Sequence, residues 1–203
     1  MRKIAVLCAA SLFLISCVGI DSRLTVRDNG SGTLVLTYRV SQLVADLGIS
    51  SSEQGAVPLP LSKSDFERSL ESSKGKVRLT RFNRSENEKD IIISAELSFD
   101  SLEALSQVGA FRSQDLKAGT DGAVHTFSEL IARAPGRPIT EDSLRMIDAF
   151  FTGYDLTFTI EAPQPIQQNS LGTLSDDRKV LTYSTSIKDL VRAKSDVILS
   201  IGW

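Results

Sequence analysis

The chain is short of the residues that most often carry chemistry. Its 203 residues include one histidine, one tryptophan and two cysteines. A single histidine excludes a multi-histidine metal centre, and two cysteines exclude a disulfide-stapled framework. Charge is nearly balanced, with 23 Lys and Arg against 25 Asp and Glu. No long basic block is present, so the electrostatic footprint of a nucleic-acid binder is missing. No apolar run approaches the roughly 20 residues that span a bilayer as a helix. Hydrophobic residues at 41% and charged residues at 24% make an ordinary globular balance, which excludes collagen-like and extensively disordered classes. Proline is sparse and falls in three close pairs, Pro58 and Pro60, Pro135 and Pro138, Pro163 and Pro165. Each pair marks an element boundary.

The N-terminus carries the clearest pattern. Arg2 and Lys3 precede an apolar run from Ile4 to Ile15, broken only by Ser11, and the small Ser16 follows. This order reads as an export signal. Leu14-Ile15-Ser16-Cys17 resembles the lipobox of bacterial lipoproteins. The resemblance implies cleavage before Cys17, a diacylglycerol thioether on its sulfur and acylation, with palmitate for example, of its new amino group. One acyl chain holds a protein marginally at about 0.8 kcal/mol per buried CH₂, whereas two or more anchor it. Cys8 has too few apolar residues before it to serve. Val18, rather than an aspartate, follows the lipobox, which resembles an outer-membrane address more than an inner-membrane one. Removal of residues 1–16 from 203 leaves 187 residues with 21 basic and 25 acidic side chains, a net charge of −4. With Cys17 acylated, no thiol remains for an intrachain disulfide, and the core alone must hold the fold.

Hydrophobic periodicity predicts one α+β domain over 22–203, after a lipidated tether at 17–21. Leu24 and Val26, the turn Asp28-Asn29-Gly30-Ser31-Gly32, then Leu34, Leu36, Tyr38 and Val40 predict a hairpin. Leu43, Val44 and Leu47 suggest a helical turn stopped by Gly48, and 49–61 reads as loop. Ser62 or Ser64 caps a helix with Phe66 and Leu70 inward, ended by Gly75. Lys76–Asn83 reads as a strand and 83–88 as a charged turn. Asp90–Phe99 is the strongest strand, with Ile91, Ile93, Ala95, Leu97 and Phe99 on one face. Asp100 is the expected cap of a helix carrying Leu102, Leu105 and Val108, stopped by Gly109. A turn at 119–122 and a strand over Thr126–Ala132 follow. Thr140 caps a helix with the row Leu144, Ile147 and Phe151, reinforced by Met146 and Phe150. Tyr154–Glu161, Lys179–Ile187 and Asp196–Ile201 are the remaining strands. The expectation is a mainly antiparallel sheet with helices packed on one face.

Candidate chemistry is thin. His125 is the one histidine available to a nucleophilic arrangement, with Ser128 and Glu129 nearby. No Gly-x-Ser-x-Gly elbow accompanies it, and a loop or edge histidine is the plainer reading. Asp176-Asp177 lies in a polar loop, and Glu141-Asp142 suits the positive end of a helix. Asp28–Gly32 lacks the spaced acids of a calcium loop and precedes a strand, so it is no phosphate cradle. No catalytic residue, metal site or cofactor is therefore expected. Two ligand readings remain. Lys76 and Arg78, within the basic run Lys74 to Arg84, could meet anionic headgroups or a phosphorylated glycan, unless Glu86, Glu88, Asp90 and Glu96 simply balance them. Phe150, Phe158, Tyr183 and Trp203 could line a cleft for an acyl chain or glycolipid, unless they are ordinary core.

A lipobox followed closely by Leu24-Thr25-Val26-Arg27-Asp28-Asn29-Gly30-Ser31-Gly32 and a strand, then a late Lys179-Val180-Leu181-Thr182-Tyr183 strand and a terminal strand, resembles the LppM-type envelope lipoprotein domain. That resemblance implies a membrane-tethered α+β domain without a catalytic motif, and it assigns no site residue. The expectation is a lipid-anchored, non-enzymatic envelope protein, facing the periplasm or the exterior. Its membrane contact is made through acyl groups on Cys17, and its domain binds a lipid, glycolipid or envelope partner. A structural protein acting through protein contacts and a hydrolase with an unrecognised site are the alternatives.

Overall fold

The computed structural model describes residues 18–42, 60–108, 116–121, 124–136, 139–151 and 153–203, without the side chains of Val18, Thr120, Asp121, Met146, Ala149, Phe150 and Phe151. The export signal, Cys17, the expected turn at Leu43 to Gly48, most of the 49–61 loop and Gly109 lie outside these residues.

The hairpin is formed by β1 (Val18–Val26) and β2 (Gly32–Ser41), in register from Val18 opposite Val40 to Val26 opposite Gly32. Its turn is a three-residue loop closed by Arg27 N–H on the Ser31 carbonyl and Gly30 N–H on the Arg27 carbonyl, both 2.8 Å. Gly30 takes φ +79°, the left-handed conformation this loop type requires. The strand begins at Val18, so residues 18–21 are ladder rather than free tether. Ile20 extends the inward alternation of Leu24 and Val26, interrupted only by the small Ser22, and the pairing continues to the domain's edge.

Helix α1 (Lys63–Leu70) is capped by Ser62, whose hydroxyl oxygen accepts from Asp65 N–H at 3.2 Å. Phe66 and Leu70 are buried, and the chain leaves through a 3₁₀ turn with Lys74 and Gly75 left-handed. Strand β3 (Val77–Glu86) runs three residues beyond the expected end. It is an edge strand, and such edges carry charge as protection against further pairing, which is why Arg84-Ser85-Glu86 reads locally as a turn. Strand β4 (Asp90–Phe99) shows the expected alternation residue by residue. Helix α2 (Leu102–Ser106) is capped by Ser101, at 3.2 Å from Ala104 N–H, rather than by Asp100. Asp100 instead pairs with Arg78 at 2.6 Å.

The second half supplies β5 (Lys117–Asp121), β6 (Val124–Ala132), α3 (Glu141–Phe151), β7 (Asp155–Glu161), β8 (Gln168–Asn169), β9 (Thr173–Leu174), β10 (Val180–Ser186), α4 (Ile187–Arg192) and β11 (Val197–Gly202). The predicted turn at 119–122 thus loses Gly119 to Asp121 to β5. Ile187 starts α4 instead of ending a strand, because Ser186 caps it by accepting from Asp189 N–H at 3.1 Å.

Seven strands form one sheet in the order β3-β4-β2-β1-β7-β10-β9, and four form another in the order β5-β6-β11-β8. Among the described residues all pairs are antiparallel except β1 with β7. One row of the large sheet, Leu79, Leu97, Leu34, Leu24, Ile160, Leu181 and Leu174, crosses every strand as leucine or isoleucine. The neighbouring row on the opposite face is Arg81, Glu96, Val35, Arg23, Thr159, Thr182 and Thr173. One face is therefore core and the other polar, and the helices and the small sheet cover the apolar side.

Gly32 sits where that core leaves no room for a side chain. A Cβ there would stand 2.1 Å from the Thr25 carbonyl oxygen and 2.4 Å from Cζ of Phe99. Backbone cannot yield as a flexible side chain can. Gly32→Ala is expected to destabilise the domain by at least about 2 kcal/mol, measured as a lowered urea midpoint.

Candidate functional site

The apolar face of the large sheet does not close completely on its cover. A cavity of about 70 Å³ lies between β1, β2, β4 and β7 on one side and α1, α2 and β6 on the other. Its wall includes Leu24, Leu34, Leu97 and Ile160 from the leucine row, Phe158 and Ser22 from the next row, and Phe66, Leu105 and Phe127 from the cover. The small Ser22 stands between Leu36 and Phe158 in its row, so its side chain leaves room where larger ones would meet.

Among the described residues, three buried side chains are polar: Ser73, Asp90 and Glu129. Two are bonded as burial demands. The Ser73 hydroxyl donates to the Leu70 carbonyl at 2.7 Å, and Asp90 accepts from the Tyr154 hydroxyl at 2.5 Å. Glu129 is the exception. It is 9% exposed, lines the cavity and has no hydrogen-bond or ion-pair partner among the described residues. Loss of water around it pushes its carboxyl from the ordinary 4.5 up to about 7. Elsewhere on the wall, Tyr38 donates its hydroxyl to the Pro60 carbonyl, and Ser69 donates to the Phe66 carbonyl at 2.7 Å. Burial and the nearby Asp65 carboxylate raise the Tyr38 phenol, so it stays a neutral donor.

The ligand residues expected from sequence are not gathered in one place. Phe158 lines the cavity, and the half-buried Tyr183 sits beside it across the β7–β10 ladder. Trp203 belongs to the small-sheet side, where its ring stacks on His125 with centroids 6.1 Å apart. Both line a separate polar groove of about 340 Å³ with the β1–β2 turn. Phe150 lies in α3, and its side chain is outside the described ones. Lys76 and Arg78 are exposed and alternate away from the buried Val77. Arg78 is held by Asp100 and by the Gly75 carbonyl at 2.8 Å. Of the wider basic run, Arg81 meets Glu96 at 3.9 Å and Arg84 pairs with Glu86, so the balancing acids do engage it.

The residues weighed for nucleophilic chemistry diverge as well. His125 faces the groove, Ser128 accepts from the Ser200 hydroxyl at 3.0 Å, and Glu129 faces the cavity. No group of three His, Cys, Asp or Glu among the described residues is placed to hold a metal ion. No helix among them is long and apolar enough to cross a membrane.

Glu129 was within reach of the sequence. In Thr126–Ala132, alternation sets Phe127, Glu129 and Ile131 on one face, and a glutamate between two large apolar residues on an inward face is the signal.

The fold and cavity define a two-sheet α+β domain with a small, mostly apolar interior site. Its chain trace is similar to the NMR structure of the folded domain of the Mycobacterium tuberculosis LppM protein, at a TM-score of 0.45 and 8% identity, covering 92% of this chain and 89% of that one. No family model matches the chain, and no curated protein matches its sequence.

The buried carboxyl makes stability depend on pH in a stated direction. The folded chain keeps the Glu129 proton to about 7 and the unfolded chain to about 4.5. Stability is thus highest below the unfolded value, falls as pH rises between the two, and levels off above the folded one. The loss is expected to reach about 3 kcal/mol. Glu129→Gln should flatten that dependence in chemical denaturation followed across the range.

Proposed function

We propose that the protein is a lipid-anchored, non-enzymatic component of the bacterial cell envelope whose domain binds an apolar ligand, a lipid or glycolipid end, in the cavity between its sheets. The observation that carries the binding part is the cavity itself, walled by the leucine row and by Phe66, Phe127 and Phe158. Its size limits the occupant. An apolar cavity of about 150 Å³ takes a benzene, and this one has roughly half that volume. The part of a ligand that enters is a chain end of a few carbons rather than a whole acyl chain.

The Arg2-Lys3 start, the apolar run and Leu14-Ile15-Ser16-Cys17 support the anchor. On this reading the acyl groups of Cys17 hold the chain, in the outer membrane rather than the inner one. The domain then stands in the periplasm or at the surface, immediately against the bilayer because β1 starts at Val18. Lys76 then serves as a solvated residue and Arg78 as an ion-paired edge residue, rather than as the ligand contact.

The anchor is tested in living cells with a labelled fatty acid. Cys17→Ser is expected to abolish incorporation and release the protein from the membrane fraction, and labelling that persists in this variant overturns the assignment. The binding part is tested on the same Cys17→Ser full chain with n-butanol as probe. Amide and methyl resonances of cavity residues such as Leu34, Leu105 and Phe158 should shift together and saturate. Shifts confined to the outer surface overturn it.

A further inference from the structure

One buried carboxyl on the cavity wall has no partner among the described residues. Glu129 projects into the cavity from β6 at 9% exposure with no donor from any described residue. The other polar side chains on the wall, Ser22, Tyr38 and Ser69, are all hydroxyls, and no Lys, Arg or His among the described residues lines the cavity. Tyr38 and Ser69 have already committed their protons to the Pro60 and Phe66 carbonyls. Among the described residues that line the cavity, the one other titratable group is therefore the neutral Tyr38 phenol.

A carboxyl in such a place is an acceptor in either protonation state, and a buried acceptor without a donor carries its desolvation cost uncompensated. A ligand that brings a donor on an apolar body removes that cost and fills the space. A ligand end that is itself an anion meets like charge in a medium of low polarity and is rejected. Resting on the cavity-binding reading above, we propose that the cavity binds the donor-bearing end of an apolar molecule, an amine or a hydroxyl on a short carbon chain. In this arrangement the Glu129 carboxyl accepts from the donor and the leucine and phenylalanine wall surrounds the carbons. Carboxylate and phosphate ends are excluded. The site thus selects the amine or alcohol end of an amphiphile over its acidic counterparts, and it favours an ammonium, which an apolar cavity alone would reject.

The test uses n-butylamine, n-butanol and butyrate, titrated by NMR into the full chain carrying Cys17→Ser, with and without Glu129→Gln. Charge-assisted hydrogen bonds are about twice as strong as neutral ones, so with the carboxyl ionised, at about pH 8, the amine is expected to bind about tenfold more tightly than the alcohol. Butyrate should bind more weakly than either. In Glu129→Gln the amine should fall to the affinity of the alcohol, while the alcohol keeps its own. The unsubstituted carboxyl offers a second measurement that needs no folded variant: at about pH 5.5, where Glu129 is protonated, the amine should lose its advantage. An amine preference that survives in Glu129→Gln, or butyrate binding as tightly as the amine, overturns the assignment. Butanol binding without any amine preference overturns the role of Glu129 and leaves the cavity reading standing. Absence of binding by all three probes overturns both.

Discussion

The double pairing of β1 holds the two halves of this fold together. Along its inner positions it runs antiparallel to β2 from Val18 to Val26 and parallel to β7 from Ile20 to Thr25. Without it, the large sheet separates into β3-β4-β2 and β7-β10-β9. The leucine row is continuous because Leu24 joins Leu34 on one side to Ile160 on the other. The cavity exists at the same seam, since Ser22 on β1 takes the place where a larger side chain would have met Leu36 and Phe158. The strand that completes the core therefore also relieves it.

Local order was legible from sequence where local forces decide it. The alternation in Asp90–Phe99 and the turn Asp28-Asn29-Gly30 specify their own conformations, as does the capped helix after Ser62. Elements set by distant partners were less legible. The last three residues of β3 are strand because β4 pairs with them, against a charged composition that reads as turn. The two-residue strands β8 and β9 have no pattern of their own, and the parallel β1–β7 pairing joins segments more than 130 residues apart. Nothing in either segment announces its partner.

The candidate site shows the same division. Aromatic residues stand out in the sequence as large and apolar, but size does not say which surface a side chain meets. Phe158 faces the cavity, whereas Trp203 stacks on His125 beside a different groove. The informative residue was the one that breaks the core's rule. Ser73 and Asp90 are buried with partners, and Glu129 is buried without one among the described residues. A core that satisfies its other buried polar side chains and leaves one carboxyl unmet has a defined polarity at a defined point.

The start of β1 at Val18 also sets how the domain bears load. If the chain is held at Cys17, any drag on the domain pulls along the axis of β1, in the middle of the sheet rather than at its margin. Both flanking ladders are then loaded in shear, so their hydrogen bonds resist together instead of opening one after another. A hairpin placed at the sheet's edge would have peeled under the same tension. On that condition the load enters where two ladders share it.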